Sequence, residues 1–236
     1  YRAVPEGFYL PYAHLAGGGK IRWDFVGRNI LQNDATYRAF AEKSSIRVDA
    51  EFVKIPHGFG NDAKSLLAQT GDGDFTMSNT LQQYFQDTIT AKWNVSKPSV
   101  NYAFLNGLVS PSLAAAPTFD IGLNRERGKI QLQLTRDKPV DLRLTYFHEK
   151  RTGNRASGTS FGFSGVVETP EPIDYRTQDL ALSGEWKRSW GLVRGGFSYN
   201  KFTNNILFQT FDNPFRYQDS TDASAYAAPG SGSIGG

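Results

Sequence analysis

Charged and apolar side chains alternate strictly along several short stretches of the chain. In Lys20-Ile21-Arg22-Trp23-Asp24-Phe25 one parity holds Ile21, Trp23 and Phe25 and the other holds Lys20, Arg22 and Asp24. Successive side chains of a strand point to opposite faces, so a period of two predicts a strand that is wet on one side only. The pattern recurs from Arg47 to Phe52, Lys129 to Thr135, Val140 to Tyr146 and Asp179 to Trp186. A soluble sandwich also alternates, but its outer face usually carries scattered Ser and Thr and its inner face needs an opposing sheet. Here the polar parity is rich in opposite charges, as in Arg47, Asp49 and Glu51 or Asp141 and Arg143, which suits a water-filled lumen.

Turn chemistry set against this alternation predicts about seven strands. They fall near 20–30, 36–43, 46–54, 118–136, 140–150, 177–188 and 190–202. Lys43-Ser44-Ser45, Asp137-Lys138-Pro139 and Arg188-Ser189-Trp190 read as tight connections. Phe119, Ile121 and Leu123 share one parity and Ile130, Leu132 and Leu134 the other, so the chain between them either turns or carries a bulge. A continuous strand puts every short turn at one end and every long excursion at the other, which is how outer-membrane barrels are built. The excursions expected are 55–117, 151–176 and one beginning near Thr203. Inside the first, Asn61 to Leu67 reads as a capped short helix, and 84–95 as a small hairpin or a segment packed on the rim.

The expected fold class is therefore all-β, an antiparallel up-and-down meander forming part of a transmembrane β-barrel with long loops at one end. Residues 1–217 are expected to be its N-terminal portion, and the Ser-, Ala- and Gly-rich stretch 218–236 a flexible tail or loop. Bacterial single-chain barrels have even strand numbers, so about seven strands predict the first part of a larger barrel. Tyr1 follows no basic, apolar leader, and the expectation is a removed leader or a fragment.

Composition agrees with a polar interior inside a greasy band. Over 236 residues, aromatic content is 14%, yet mean hydropathy is -0.45. No run approaches the roughly 20 apolar residues of a membrane helix. The formal net charge is +3 with acids and bases interleaved, unlike the basic stripe of a nucleic-acid binder, so nucleic acid is not an expected partner. Without cysteine there is no disulfide framework, thiolate metal site, cysteine nucleophile or C-x-x-C-H haem attachment.

Candidate chemistry is sparse, and no enzyme activity, catalytic residue, metal site or cofactor site is expected. His14, His57 and His148 have no companion at metal-ligand spacing. His57 reads as part of a turn leaving the third strand, and His148 as a residue of the aqueous rim. Gly71-Asp72-Gly73-Asp74 lacks the longer ligand series of a calcium loop, and Gly17-Gly18-Gly19 precedes a strand rather than a phosphate-binding helix. Asn94-Val95-Ser96 matches a glycosylation acceptor, which means little if the cell is bacterial. No Gly-x-Ser-x-Gly elbow occurs. Trp23, Tyr37, Tyr146, Trp186, Trp190 and Tyr199 fall near strand ends or on apolar parities, as girdle residues would. The residues expected to face the lumen are Arg22, Asp24, Arg47, Asp49, Glu51, Asp141, Arg143, Asp179 and Glu185, with Gln131 and Gln133. Ile21, Trp23, Phe25, Val48, Phe52, Ile130, Leu132, Leu134, Leu142, Leu144, Leu180 and Leu182 are expected to face lipid.

An ordered series of motifs adds a family resemblance. Tyr1-Arg2-Ala3-Val4-Pro5-Glu6-Gly7-Phe8-Tyr9-Leu10, Ile55-Pro56-His57 with Asn61-Asp62-Ala63, and Ala116-Pro117-Thr118-Phe119-Asp120 come first. Glu149 to Arg155, Glu168 to Ile173 and Asp212-Asn213-Pro214 follow. Together they resemble the MtrB/PioB family of decahaem-associated outer-membrane β-barrels. The resemblance implies a porin-like sheath in the outer membrane of a Gram-negative-type bacterium, in contact with its lipid. It also implies a periplasm-facing multihaem c-type cytochrome as partner, which would carry all the haem, so that electrons cross the membrane inside the sheath. Some members carry a cysteine pair near the N-terminus that this chain lacks. Two other readings stay open: a porin or receptor-type barrel for a solute, and a soluble β-sandwich with Trp23, Phe25, Leu132 and Leu142 in a dry core.

Overall fold

The structure, a computed structural model, describes residues 9–92, 98–135, 138–160 and 166–212. In chain order the described elements are β1 (Leu10–Gly17), β2 (Arg22–Ile30), β3 (Thr36–Lys43), β4 (Ile46–Lys64), β5 (Ala68–Gln69) and β6 (Asp74–Thr76). Then come α1 (Asn79–Lys92), α2 (Pro98–Ala115), β7 (Thr118–Leu134), β8 (Val140–Ser160), β9 (Val166–Arg188), β10 (Gly191–Asn204) and β11 (Thr210–Phe211). Eight of these strands form one sheet in the order β1-β2-β3-β4-β7-β8-β9-β10, a meander with β1 and β10 at its open edges. Among the described residues the sheet does not close on itself.

The chain divides into two compact units, and the division runs through β4, β7, β8 and β9. The first unit holds the chain up to Phe59, Gly122–Gly153 and Ile173–Asn205. Its connections show why the register is fixed. Lys43 pairs with Ile46 and Arg188 with Gly191, leaving Ser44-Ser45 and Ser189-Trp190 as two-residue hairpin loops. In the first of these Ser44 takes a left-handed φ of 52°, as primed two-residue turns do at their first central position. The connections β1–β2, β3–β4, β7–β8 and β9–β10 share one end of the meander, and the excursion 65–117 leaves from the other.

The second unit holds Gly60–Ile121, Asn154–Pro172 and the chain from Ile206. It contains a small sheet in which β6 pairs antiparallel with β5 and parallel with β11. Leu67, Phe75, Met77, Phe85, Ile89 and Leu108 form its buried core, with Leu81, Phe104, Leu105, Val109 and Phe211 packed against them. The Asp212 carboxylate accepts a 2.7 Å hydrogen bond from the Met77 backbone N–H, tying the chain beyond β11 to the end of β6.

Several expectations are corrected. A strand precedes the first predicted one: β1 was hidden by Pro11 and by a run, Leu10 to Gly17, that does not alternate. Proline is tolerated on an edge strand because its missing N–H need not face a partner, and β1 is an edge. The capped helix expected over Asn61 to Leu67 is absent, since β4 runs to Lys64. Pro56 is accommodated there because β3 pairs with β4 only as far as Val53. His57 is accordingly a strand residue, its ring 4.6 Å from that of Phe59, and not part of a turn. Instead of the hairpin expected at 84–95, residues as far as Lys92 belong to α1, whose Leu81, Phe85 and Ile89 recur every four residues on the face that meets the core. The Gln82 backbone N–H bonds to the Ser78 carbonyl at 2.9 Å, which makes Ser78 the N-cap. The excursion expected over 151–176 is mostly strand, because β8 runs to Ser160 and β9 begins at Val166. The continuous strand from Thr118 to Leu134 is as expected. The tail expected at 218–236 lies outside the described residues, as do Tyr1 to Phe8 and Asn94-Val95-Ser96.

Candidate functional site

The eight-stranded sheet has two chemically opposite faces, and the pairing register builds both. On one face Arg22, Glu42 and Arg47 stand in a row across β2, β3 and β4, followed by Asp24, Phe40 and Asp49, then Arg38 and Glu51. On the other, Trp23, Ala41 and Val48 are followed by Phe25, Ala39 and Ala50, then Gly27, Tyr37 and Phe52. β9 and β10 repeat the division, with Asp179 opposite Asn200 and Glu185 opposite Arg194 on the polar face. Leu180 opposite Tyr199, Leu182 opposite Phe197 and Trp186 opposite Val193 make up its apolar face.

Side-chain contacts carry the same division across β7 and β8. A shallow cavity of about 400 Å³ is lined by Asp24, Arg38, Phe40, Asp49, Glu51, Lys129 and Gln131, so the polar face continues from β4 onto β7. The Gln133 amide donates to both Asp141 oxygens at 3.0 and 3.1 Å, extending that face to β8. On the apolar side Phe52 lies against Gly128, and a Cβ at Gly184 would sit 3.1 Å from Leu142 Cδ2. Tyr146 Oη accepts a 3.0 Å hydrogen bond from Gln178.

The polar face is a ladder of paired charges. His14 meets Asp24 at 2.6 Å, Arg22 meets Glu42 at 2.5 Å, and Arg47 reaches Asp49 at 2.6 Å and Glu42 at 3.3 Å. Arg38 holds Glu51 at 3.1 Å, Arg143 holds Asp141 at 2.7 Å and Arg194 holds Glu185 at 2.7 Å, while Asn200 donates to Asp179. The guanidinium of Arg47 lies 4.4 Å from the centre of the Phe40 ring. The nine residues picked from the sequence therefore share one face. They do not converge on a point, since each pairs with its own cross-strand or same-strand neighbour.

Sequence reasoning missed one cluster on this face. Glu149, only 8% exposed, receives Arg125 at 2.7 Å, Arg151 at 3.4 Å and Arg127 at 3.5 Å. Its signal was the odd-residue parity of Arg125, Arg127, Glu149 and Arg151, which continues that of Gln133 and Asp141. The cluster went unseen because the strands were drawn to end or bulge close to it. Among the described residues no group of three or more His, Cys, Asp or Glu side chains lies together as a metal would need.

Among the described residues the apolar face is exposed. Trp23 is 41% exposed, Leu182 51%, Ile130 52% and Phe197 67%. A dry sandwich core containing Trp23 and Leu142 is thereby contradicted, for Leu142 is also exposed. The face is unbroken between charges: on β9 it runs from Arg188 through Trp186, Gly184, Leu182 and Leu180 to Gln178 and Arg176. The nine residues 179–187 separate Arg188 from Gln178, matching the roughly 9–11 residues a tilted strand needs to cross a bilayer. No described helix is long and apolar enough to cross a membrane. Trp23, Trp186 and Trp190 border this band at the short-turn end, the last two in an edge-to-face contact at 5.5 Å. Tyr37, Tyr146 and Tyr199 lie on it further from those turns.

Comparison with known families agrees with this geometry. The family model described as "Putative outer membrane beta-barrel porin, MtrB/PioB" matches residues 12–231. No curated protein matches the chain.

Proposed function

Because the chain belongs to the MtrB/PioB family of outer-membrane β-barrel porins, we propose that its strands form part of the wall of a sheath that holds a multihaem c-type cytochrome for electron transfer across the outer membrane. The apolar face is the lipid-contacting surface of the barrel. On this proposal the polar face lines the lumen, so that Arg22, Asp24, Arg47, Asp49, Glu51, Asp141, Arg143, Asp179 and Glu185 look inward.

The observation that carries the reading is the paired-charge ladder on the face opposite the lipid band. A wall of self-satisfied ion pairs is soluble by itself and can rest against a second soluble surface through wet, distributed contacts. A solute-specific pore instead concentrates a few unsatisfied groups at one place. On this reading the barrel insulates and the partner carries the haem, in keeping with a chain that has no cysteine for covalent haem attachment.

Deleting the gene tests the proposal. Electron transfer to an extracellular acceptor should be abolished while periplasmic haem protein remains. Retained transfer in the deletion strain contradicts the conduit and leaves a solute porin as the better account.

A further inference from the structure

The apolar face ends in cations at the end of the meander from which the long excursion 65–117 leaves. Beyond Tyr199 the next residue of that face on β10 is Lys201, which pairs in register with Gln178. Two residues further along β9 is Arg176, and on β8 the face continues past Tyr146 and His148 to Lys150. The Tyr146–Gln178 hydrogen bond fixes β8 and β9 at the same level, so the three cations occupy three neighbouring strands just past the apolar band.

A comparison within the same face isolates what is unusual. Lys54 on β4 lies two residues beyond Phe52, at the corresponding margin, and is matched by Glu126 at 3.3 Å. Lys150, Arg176 and Lys201 have no carboxylate partner among the described residues. Asp174, on the same parity of β9, buries its Oδ1 without a donor and pairs with none of them. Lys201 and Arg176 are exposed. Three adjacent cations with no protein counterion, at the level where an apolar band gives way to headgroups, fit an anionic lipid surface.

We propose that Lys150, Arg176 and Lys201 form a collar that binds phosphate groups on the headgroups of membrane lipids, in the leaflet on the side of the long excursion. Short turns are periplasmic and long loops extracellular in such barrels, so this is the outer leaflet. The proposal rests on the outer-membrane placement and is independent of the cytochrome reading.

The test compares the purified protein with its K150Q/R176Q/K201Q variant in phosphatidylcholine vesicles containing lipid A, either phosphorylated or dephosphorylated. A K54Q/E126Q variant, altered at the paired site, serves as the control. Bound lipid A is counted after reisolation. A cation near an anionic surface changes partition by about fivefold, so the triple variant should retain phosphorylated lipid A at least about tenfold less well. The control and the dephosphorylated lipid should show no such difference, and free inorganic phosphate should not displace the lipid. Equal retention by wild type and triple variant overturns the collar, and displacement by inorganic phosphate reduces it to a free-anion site. Insertion is read separately from the tryptophan emission. Failure to insert into either vesicle overturns the membrane placement and the collar with it, whereas insertion without a phosphate preference overturns the collar alone.

Discussion

Leu182 stands near the middle of the nine residues 179–187 that separate Arg188 from Gln178, the polar limits of the apolar band on β9. At about 3.3 Å per residue those nine span about 30 Å along the strand, and a tilt of about 40° leaves about 23 Å across the membrane, close to the apolar height of a transmembrane barrel. Leu182→Arg puts a guanidinium near the midplane of that band, and its cross-strand neighbour Phe197 is 67% exposed and offers no counterion. The expected cost is about 2–4 kcal/mol. Ser183→Arg differs by one residue but points to the polar face, opposite Gly196, where water and Glu185 are available, and should cost less than about 1 kcal/mol. If the apolar face met water instead of lipid, Leu182 at 51% exposure would be an ordinary surface position and its replacement would change stability by no more than about 0.5 kcal/mol. Urea titration of the protein folded in phosphatidylcholine vesicles, followed by tryptophan emission, separates these values. Equal costs for the two variants would refute the assignment of faces.

Other perturbations probe the lumen wall and the turns. Glu149→Gln removes the carboxylate shared by Arg125, Arg127 and Arg151 and should lower stability by about 1–3 kcal/mol, discounted because all three arginines are partly exposed; an unchanged urea midpoint would show the cluster to be inert. Gly153→Ala should lower stability by more than about 2 kcal/mol in the same titration, because φ is 133° and the new Cβ would collide with the Gly122 carbonyl oxygen; a wild-type midpoint would rule out that close approach. Ser44→Gly should raise stability by up to about 1 kcal/mol, since it relieves a left-handed φ of 52°, and a measured loss would refute that turn geometry.

What the sequence disclosed and what it hid follow from one distinction. Where a strand has lipid on one side and charge on the other, as in Arg47 to Phe52 or Asp179 to Trp186, the period of two is forced and the register can be read from the chain. Beyond the band that constraint lapses. In β8 the run Thr152-Gly153-Asn154 is followed by Ala156-Ser157-Gly158-Thr159, and in β9 Thr169-Pro170-Glu171-Pro172 precedes Ile173. Gly, Pro and small polar residues at that density carry the composition of a loop. The two stretches are strands nonetheless: Arg155 pairs with Glu171 at 2.6 Å, and the Thr159 and Thr169 hydroxyls share a 3.0 Å hydrogen bond.

The elements missed outright had equally specific causes. β1 was missed because Leu10 to Gly17 does not alternate and contains Pro11, which its edge position tolerates. α1 carries its stripe of Leu81, Phe85 and Ile89 among Thr, Tyr and Gln residues, several of modest helix propensity, and that stripe is buried by partners from β6, α2 and β11 that are distant in sequence. The polar face was legible residue by residue, whereas the sharing of Glu149 by three arginines depends on the register of β7 against β8, which no single-strand pattern contains.

The central claim is that lipid and water lie on opposite sides of one sheet, and β9 is where it can be measured most directly. The chain has no cysteine, so Leu180→Cys, Ala181→Cys, Leu182→Cys, Ser183→Cys, Glu185→Cys and Trp186→Cys each carry a single spin label. Relaxation by oxygen, which concentrates in lipid, is compared with relaxation by a water-soluble nickel chelate in the membrane-embedded protein. The account predicts a period of two, with oxygen dominating at 180, 182 and 186 and not at 181, 183 and 185. Uniform accessibility along β9, or oxygen dominating at 181, 183 and 185, would contradict it.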